Sequence, residues 1–406
     1  MSGIMKLIIK NGTVFNGERS LGKKDVEIQN GIITNIGEKL QGDTVIEAEG
    51  SFVSPGLTDA HIHMTGMSGG NLLMSTMTVP KQLLLLKSIK WAEKLLKAGF
   101  TSIRDCGEEN SVYLRDAINQ GYLKGPKILA AGKPLSQTFG HGEFSHTVPL
   151  EINRLMGFSE ICDGKEGCIA TTRKVLRSGA DFIKIFSTGG VLSQKDSPEA
   201  EQFSPEEISA IVYEAEKVGS YVAAHAHGDR GIKTAVLSGV KSVEHGTLAS
   251  EETIKLMASK GVSLTPTLCI QEFIRRHGRE GGISEWGLAK TDEVRNGIEK
   301  VIPLALKHGV NLLAGTDLGF ETGKEIDIGN NWKELEFLRD IGKMSNEEAL
   351  RCATGNVSRV MPGLGRIEAG YRGNIVITDG DPLEDIREMS RVKMVLKDGI
   401  LEYSKG

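Results

Sequence analysis

Asp59-Ala60-His61-Ile62-His63 is the stretch that decides how the rest of the chain is interpreted. Its two histidines stand two residues apart, directly after the mainly apolar segment 51–57. Residues i and i+2 of an extended strand point to the same face, so both imidazoles project from one side of a strand end. Two imidazoles placed in this way form half of a metal site. An isolated pair of this kind occurs by chance, but here further ligand-type residues follow at equivalent positions.

Length and composition are those of an ordinary globular protein. The 406 residues suffice for one large domain and a smaller one, and 39% are hydrophobic and 25% charged. The net charge of −4 argues against nucleic-acid binding, because proteins of that class usually present a basic face. The 5 cysteines are scattered without C-x-x-C spacing, which indicates free thiols rather than disulfides or a thiolate zinc site.

The N-terminal segment and the apolar runs bear on cellular location. The first residues alternate like a strand and lack the long apolar core of a signal peptide. No apolar run in the sequence approaches the length of about 20 residues that is needed to span a bilayer. We therefore expect a cytoplasmic protein with no membrane partner. Separately from these features, we expect a small-molecule substrate and a homo-oligomeric state.

Both ends of the chain have the pattern of short strands joined by turns. Asn11-Gly12 and Asn30-Gly31 separate apolar runs and predict hairpin turns, because both residue types tolerate positive φ. Near the C-terminus, the segments with strand character are 373–380 and 392–403. We predict that the two ends, residues 1–55 and 363–406, form one small β-sandwich domain.

The middle of the chain, residues 56–362, alternates extended runs with amphipathic stretches. The runs with strand character are 57–61, 100–105, 127–132, 181–186, 221–225, 242–245, 262–267 and 310–317. Ser204-Pro205 marks a helix start, and several helical stretches end in a glycine that takes the left-handed turn into the next strand. Eight strand–helix units favour an α/β fold of the (β/α)8 TIM barrel type. An open, doubly wound sheet is the alternative.

In a barrel, catalytic groups lie at the C-terminal ends of the strands, and the candidate metal ligands obey that rule. They are His61, His63, Lys184, His225, His245 and Asp317. Imidazole and carboxylate ligands suit zinc and similar divalent ions. Lys184 is the odd member, because an ammonium repels a cation. The residues alone favour a salt-bridge partner over a lysine converted to an anion by covalent modification.

The order of these residues resembles that of the amidohydrolase superfamily of metal-dependent hydrolases. The likeness runs over nearly the whole chain and is greatest to the branch of prolidase-like and Xaa-Arg/Lys dipeptidases. The segments that carry it are Asp181–Ser193, Gln202–Glu207, Ala223–Gly228 and Ser242–Thr247.

The resemblance implies a binuclear hydrolase and reverses the interpretation of Lys184. In similar enzymes the strand-four lysine is N6-carboxylated by CO2 and bridges two divalent metal ions, for which we expect zinc, together with a hydroxide. One ion is then held by His61, His63 and Asp317, and the other by His225 and His245. The resemblance also implies that Asp317 takes a proton from the bridging water and hands it to the leaving amine.

Two further histidines and one arginine are candidate substrate contacts. By similarity, His141, which lies between glycines, contacts the substrate carbonyl or the tetrahedral oxygen; a solvated loop histidine is the alternative. His227 is a substrate contact, a hydrogen-bonded neighbour or a ligand in place of His225, and the family register favours His225 as the ligand. Arg230 could pair with a substrate carboxylate, although a solvated arginine is more common.

The expected reaction is hydrolysis of an amide bond in a dipeptide or an N-acyl amino acid. The alternatives are a cyclic-amide hydrolase similar to imidazolonepropionase, a deaminase of the same superfamily, or a non-catalytic scaffold of the same fold. The first two lack the bridging lysine, so Lys184 argues against them. The complete set of ligand-type residues argues against the third.

Overall fold

The computed structural model describes residues 6–64, 78–143, 149, 151–152, 157 and 159–405. Its strands are β1 (Lys6–Phe15), β2 (Ser20–Gln29), β3 (Ile32–Gly37), β4 (Thr44–Glu47), β5 (Phe52–Pro55), β6 (Leu57–Ile62), β7 (Phe100–Asp105), β8 (Lys127–Ala130), β9 (Leu135–Ser136), β10 (Glu160–Ile161), β11 (Ile183–Phe186), β12 (Val222–Gly228), β13 (Ser242–Leu248), β14 (Ser263–Thr265), β15 (Ile375–Thr378), β16 (Val392–Lys397) and β17 (Ile400–Ser404). Its helices are α1 (Lys81–Lys97), α2 (Asn110–Asn119), α3 (Gly164–Arg177), α4 (Pro205–Glu216), α5 (Asp229–Leu237), α6 (Glu251–Lys260), α7 (Leu268–His277), α8 (Glu285–Lys307), α9 (Lys333–Asp340) and α10 (Asn346–Cys352). Short 3₁₀ helices cover Gly355–Arg359 and Ile386–Ser390.

Strands from both ends of the chain pair in one eight-stranded sheet. Its order is β17-β16-β15-β5-β1-β2-β3, with β4 beside β1. The two ends meet where β15 runs antiparallel to β5, with Val376 opposite Ser54. The expected pairing of the two chain ends is present, whereas the sandwich packing and the domain limits 1–55 and 363–406 stay predictions.

The predicted turns have two different outcomes. Asn30 and Gly31 connect β2 to β3 and have φ values of 50° and 78°, as expected for a hairpin. The prediction of a hairpin at Asn11-Gly12 is wrong, because β1 runs straight through it. The pairing of β1 with β2 shifts register between Ile9 and Gly12, and Asn11 has a φ of 61°, so extra backbone forms a bulge here instead of a turn.

The middle of the chain has a mixed α/β architecture built on parallel strands. One sheet has the order β10-β9-β11-β12-β13-β14 and another has the order β6-β7-β8. The segment 310–317 is not a regular strand, but its backbone bonds to both sheets: Leu313 N donates to Leu264 O at 2.9 Å, and Ala60 N donates to Ala314 O at 2.8 Å. Among the described residues the strand ladders do not form one closed ring, so the complete barrel stays a prediction.

Local sequence signals fix where the helices begin and end. Ser204 Oγ accepts from Glu207 N at 3.3 Å, and the Glu207 carboxylate accepts from Ser204 N at 2.7 Å, so the predicted start of α4 is a capping box. Gly99 and Gly261 end α1 and α6 with positive φ, as predicted. Within the described residues, the structure contains no helix that is both long enough and apolar enough for a membrane span.

Candidate metal centre

The first part of the site lies at the end of β6. His61 is 1% exposed, and its ring centroid lies 5.4 Å from that of His63. Asp317 Oδ1 lies 2.9 Å from His63 Nε2 and 3.4 Å from His61 Nε2. The backbone keeps the groups together, because Asp317 N donates to His61 O at 2.6 Å. Three of the predicted ligands therefore share one end of the parallel strands.

The second part lies on β12 and β13. The ring centroids of His225 and His227 lie 4.6 Å and 4.8 Å from that of His245. One nitrogen from each of these three histidines lies within 4.8 Å of the other two. One ligand atom from each of His61, His245 and Asp317 likewise lies within 4.8 Å of the other two. Two possible donor sets therefore overlap at His245, and both His225 and His227 are close enough to take part in one of them.

Lys184 connects the two parts. It lies in β11, is 2% exposed, and places its Nζ 3.4 Å from His61 Nε2. Among the described residues it forms no ion pair with a carboxylate. In the described part of the chain, Lys184 therefore lacks the carboxylate partner that an interior lysine usually has.

Hydrogen bonds to Nδ1 fix how four of the imidazoles are turned. The partners are Glu244 Oε2 at 2.9 Å for His61, Gly107 O at 3.2 Å for His63, Thr247 Oγ1 at 2.9 Å for His227 and Thr267 Oγ1 at 2.7 Å for His245. In each of these rings Nε2 is the nitrogen that is left for a metal ion. His225 is the exception, because its Nε2 lies 3.2 Å from Gly189 O. Partners of this kind orient metal-binding histidines in general.

A buried ion pair that sequence reasoning missed stands behind His61. Glu244 Oε1 accepts from Arg104 Nη2 at 2.5 Å, and both side chains are fully buried. Arg104 Nε also donates to Ala60 O at 2.6 Å, so the guanidinium ties β7 to β6 and β13. Burial acts to raise the pKa of Glu244, but the charge of Arg104 and the hydrogen bond to His61 together outweigh burial, and the pKa lies well below its ordinary value. The signal in the sequence was a carboxylate next to a predicted ligand, inside a strand that is buried around it.

A second missed group orders the backbone around Asp317. Buried Asp59 accepts from Thr316 N at 3.1 Å through Oδ1, and from Thr316 Oγ1 and Asn331 Nδ2 at 2.7 Å each through Oδ2. The same Oδ1 accepts from His61 N at 3.1 Å. One carboxylate therefore connects the end of β6 to the backbone just before Asp317.

The backbone itself is unusual at this centre. His245, Thr267 and Asp317 have φ values of 71°, 55° and 55°, which lie in the left-handed region that side chains other than glycine seldom adopt. His245 lies within β13, Thr267 follows β14, and Asp317 ends the segment 310–317. The turns redirect the chain at the rim where the candidate ligands meet.

Burial determines the protonation of the histidines on β12 and β13. It lowers the pKa of His225 and of His245 well below the ordinary value, and the charges of neighbouring histidines add to the effect. It also lowers the pKa of His227 to about 3. These imidazoles are therefore neutral near pH 7, the form in which histidine binds a metal.

Asp317, in contrast, carries a negative charge. Burial acts to raise its pKa, but the charges and hydrogen bonds of His61 and His63 outweigh burial and hold the pKa well below its ordinary value. The side chain is thus a carboxylate next to two imidazoles. Together with the neutral imidazoles of His225, His227 and His245 it forms a donor set that suits a divalent ion such as zinc.

The candidate substrate contacts lie at different distances from this group. The ring of His141 stacks on His225, with centroids 4.6 Å apart and an interplanar angle of 20°. His227 is within the cluster. Arg230 is not, because its side chain is 86% exposed and pairs with Glu201 Oε2 at 3.0 Å. The structure therefore brings together the predicted site residues with the exception of Arg230.

Comparison with known proteins defines the class of this chain. The sequence profile of the Amidohydrolase family matches residues 52–401, and the chain therefore belongs to that family. The assignment confirms the predicted resemblance and supports a hydrolase that acts on C–N bonds.

Several relatives show how far the similarity extends. Ochratoxinase from Aspergillus niger is 33% identical over 359 residues, which cover 84% of this chain and 73% of the relative. A crystal structure of a prolidase in complex with N-methylphosphonate-L-proline has a TM-score of 0.90 and 32% identity, covering 98% of this chain and 100% of the other. A Xaa-Pro dipeptidase structure with bound methionine in the active site has a TM-score of 0.88 and 30% identity, with coverages of 98% and 100%.

Proposed function

We propose that the protein is a metal-dependent amidohydrolase that cleaves the amide bond of a dipeptide or an N-acyl amino acid. The observation that carries the proposal is the meeting of His61, Lys184, His245 and Asp317 at one end of the parallel strands. They are accompanied by His63 and His225; His61, Lys184, His225 and His245 are buried, and His63 and Asp317 are partly exposed. Clustered imidazoles and a carboxylate, beside a lysine without an ion pair among the described residues, are typical of a site built for divalent cations.

The donor set suits two divalent ions. His61, His63 and Asp317 would hold one, and His225 and His245 the other, with N6-carboxylated Lys184 shared between them. Carboxylation would turn the buried lysine into an anion, which fits a position that faces an imidazole nitrogen at 3.4 Å and, among the described residues, no carboxylate partner. Two such ions, which we propose to be zinc, would supply an activated water and polarise the scissile carbonyl.

The remaining steps belong to side chains of this protein. Asp317, kept ionised by His61 and His63, takes the proton that is released when the carbonyl is attacked, and returns it to the leaving amine. His141 stacks on His225 and can present Nε2 to the developing oxyanion. His227 lies beside the same group and contacts the substrate, and Arg230 would meet a substrate carboxylate only at the solvent-exposed rim.

The substrate class is supported by the relatives. Their names and titles mention ochratoxinase, a prolidase with an N-methylphosphonate-L-proline ligand, and a Xaa-Pro dipeptidase with bound methionine. Amino acids or their phosphonate analogues thus accompany two structures that are 30–32% identical to this chain. An N-acyl amino acid or dipeptide is the substrate class that follows. Cyclic amides and amino-purines have no comparable support from the site, because Lys184 has no use in a centre with one metal.

The proposed fold completes this arrangement. We propose that the parallel strands of residues 56–362 close into one (β/α)8 barrel, with the segment 310–317 between β14 and β6, and that residues 1–55 and 363–406 form a separate β domain. The backbone hydrogen bonds of Leu313 and Ala314 to the two neighbouring strands support that closure.

The experiment that tests the function is a substrate screen. Purified protein, loaded with zinc in bicarbonate buffer, is incubated with libraries of dipeptides and N-acyl amino acids, and release of free amino acid is measured. The matching control is the His61→Ala, His63→Ala double variant. The proposal predicts release by the first protein and none by the second. Ammonia release from adenine, or ring opening of a cyclic amide, in the absence of any dipeptide cleavage would contradict it.

A further inference from the structure

The ring of His141 is enclosed by the segment that follows β11. One face of the imidazole stacks on His225, with centroids 4.6 Å apart. Gly190 packs so closely that a methyl group at its Cα would overlap the His141 ring. The ring edge also meets Phe186 at a centroid distance of 5.4 Å. Packing alone therefore restricts how the imidazole can be turned.

A chain of hydrogen bonds fixes which ring nitrogen faces the protein. His141 Nδ1 lies 2.7 Å from Ser193 Oγ and 3.3 Å from Asp196 Oδ2. Ser193 Oγ donates its own proton to Asp196 Oδ1, so it is free to accept from Nδ1–H of His141. The proton on His141 is thereby held at Nδ1, and Nε2 remains for a ligand.

The carboxylate of Asp196 is itself held firmly. Its side chain is 6% exposed and lies 3.5 Å from Lys290 Nζ, which reaches in from α8. The Lys290 ammonium also donates to the backbone oxygens of Ser193, at 2.7 Å, and Asp196, while Gly190 N donates to Asp196 Oδ2 at 3.2 Å. Burying a carboxylate is costly unless partners compensate for the lost hydration. Here a lysine, a hydroxyl, a backbone amide and an imidazole do so.

We propose that Asp196, acting through Ser193, is a positioning residue that fixes the His141 ring with Nε2 directed at the substrate carbonyl. The inference deepens the proposed amide hydrolysis and rests on the role of His141 in it. Asp196 touches neither the substrate nor the metal ligands in this arrangement. It acts by preventing the imidazole from turning over and from moving its proton to Nε2.

The kinetic test is a double-mutant cycle on zinc-loaded protein. Asp196→Asn keeps the size of the side chain and removes its charge, and should lower kcat by about 10- to 100-fold with a change in KM below about threefold. In a His141→Ala background the same substitution should add no further loss, because the residue that it positions is gone. Asp292→Asn, an exposed carboxylate on α8, is the matched control and should behave like the wild-type protein.

The results that would overturn the proposal are distinct from those that bear on the function. A loss caused by Asp196→Asn that is equal in both backgrounds, or that follows a fall in zinc content or in Tm, would mean that Asp196 has only a structural role. Ser193→Ala gives a milder check and should show the same dependence on His141.

A spectroscopic measurement decides the matter without activity. In metal-free protein labelled with ¹⁵N-histidine, the His141 signals are those that vanish in His141→Ala. Asp196→Asn should move the Nδ1 and Nε2 shifts of His141 towards those of a tautomer mixture, whereas Asp292→Asn should not move them. Unchanged His141 shifts in Asp196→Asn would overturn the proposal. If the wild-type protein cleaves no amide while these shifts change, the proposed function fails and the positioning role stands.

Discussion

Lys184 is the residue whose chemistry distinguishes a binuclear centre from other arrangements. Replacing it by alanine removes the group that would carry the shared carboxylate. We expect kcat/KM for the best amide substrate to fall by roughly 100-fold or more, and zinc to fall from two ions to fewer than one per chain. A short carboxylate such as propionate, added to the variant, should restore part of the activity. Zinc is measured by elemental analysis.

The control for Lys184 is another lysine that is partly buried but remote from the site. Lys397 ends β16 in the sheet of the chain ends, and its Nζ donates to Gly125 O at 2.8 Å. Lys397→Ala removes that side chain. It should leave zinc content and kcat/KM unchanged. Full activity with two zinc ions in Lys184→Ala would exclude the binuclear proposal.

Glu244 gives a second prediction at the same scale. Glu244→Gln weakens the acceptor for His61 Nδ1 and leaves Arg104 buried without its counter-charge. We expect zinc affinity to fall by about 10- to 100-fold, as for other partners of metal-binding histidines. Competition with a chromophoric chelator measures the affinity. Glu214→Gln breaks an ion pair with Arg173 far from the site and should leave the zinc affinity unchanged. An equal fall in zinc affinity in both variants would refute the role of Glu244 as the partner of a metal-binding histidine.

Single residues also show what the sequence could and could not reveal. His61 and His63 were identifiable because the two-residue period of a strand is local and places both rings on one face. Asp196 was not, because it lies 55 positions from His141 in the sequence, with α3 and β11 between them, and only the fold brings the two side chains together. Glu244 lay next to a predicted ligand, but its partner Arg104 is on another strand, and only the fold brings the two together.

Among the secondary-structure elements, the packing of α7 against α8 depends on one buried acid. Glu272, 1% exposed, lies 2.7 Å from Arg295, 3.0 Å from Arg275 and 3.1 Å from Arg276. Burial acts to raise its pKa, but the hydrogen bonds and charges of Arg275 and Arg295 outweigh burial and hold the pKa below its ordinary value. A depressed pKa of an acid stabilises the fold above pH 4.5, and this stabilisation is lost as the pH falls through the folded-state value.

The corresponding prediction concerns the acid side of the stability profile. Glu272→Gln should lower stability at pH 7 by about 2 kcal/mol, since two of the three arginines are half exposed and solvent weakens their pairs. Its Tm should also fall less steeply than that of the wild-type protein below pH 4.5. Calorimetry from pH 3 to 7 measures both effects. Glu285→Gln, in an exposed pair with Arg279, is the control; parallel Tm profiles for all three proteins would disprove the argument.

Elements with strong local signals were predictable, and those that depend on a partner were not. Ser204 and Pro205 predicted the start of α4 because the capping box is made within four residues. Asn11-Gly12 misled because the same pair serves a hairpin or a bulge, and the choice depends on the strand beside it. The segment 310–317 bonds to two different sheets, which its own residues do not indicate.

The whole molecule should respond to removal of metal. The proposed ligands come from β6, β11, β12, β13 and the segment after Ala314, so the ions would bind the folded chain and not the unfolded one. Such linkage is worth about 4 kcal/mol when free metal is 1,000 times Kd. We expect chelation to lower Tm by several degrees and added zinc to restore it, measured by calorimetry. Lys184→Ala should show a much smaller shift, and identical Tm values with and without chelator would count against the centre.

At this scale the sequence predicted which parts belong together but not how they close. Strand patterns at both ends indicated that residues distant in the chain would pair, and β15 does pair with β5. The alternation of strand and helix patterns in the middle of the sequence indicated a mixed α/β architecture. Closure of a barrel depends on the register and stagger of all strands at once, and these leave no mark in any single segment.

The left-handed turns at His245, Thr267 and Asp317 have a consequence for evolution. Backbone of this kind typically costs about 1–3 kcal/mol per residue, and glycine or asparagine would occupy it more cheaply. A descendant freed from the need to catalyse would gain stability by replacing these side chains, so drift should erode them early. Three such residues at one rim therefore cost the fold stability that less strained residues would restore.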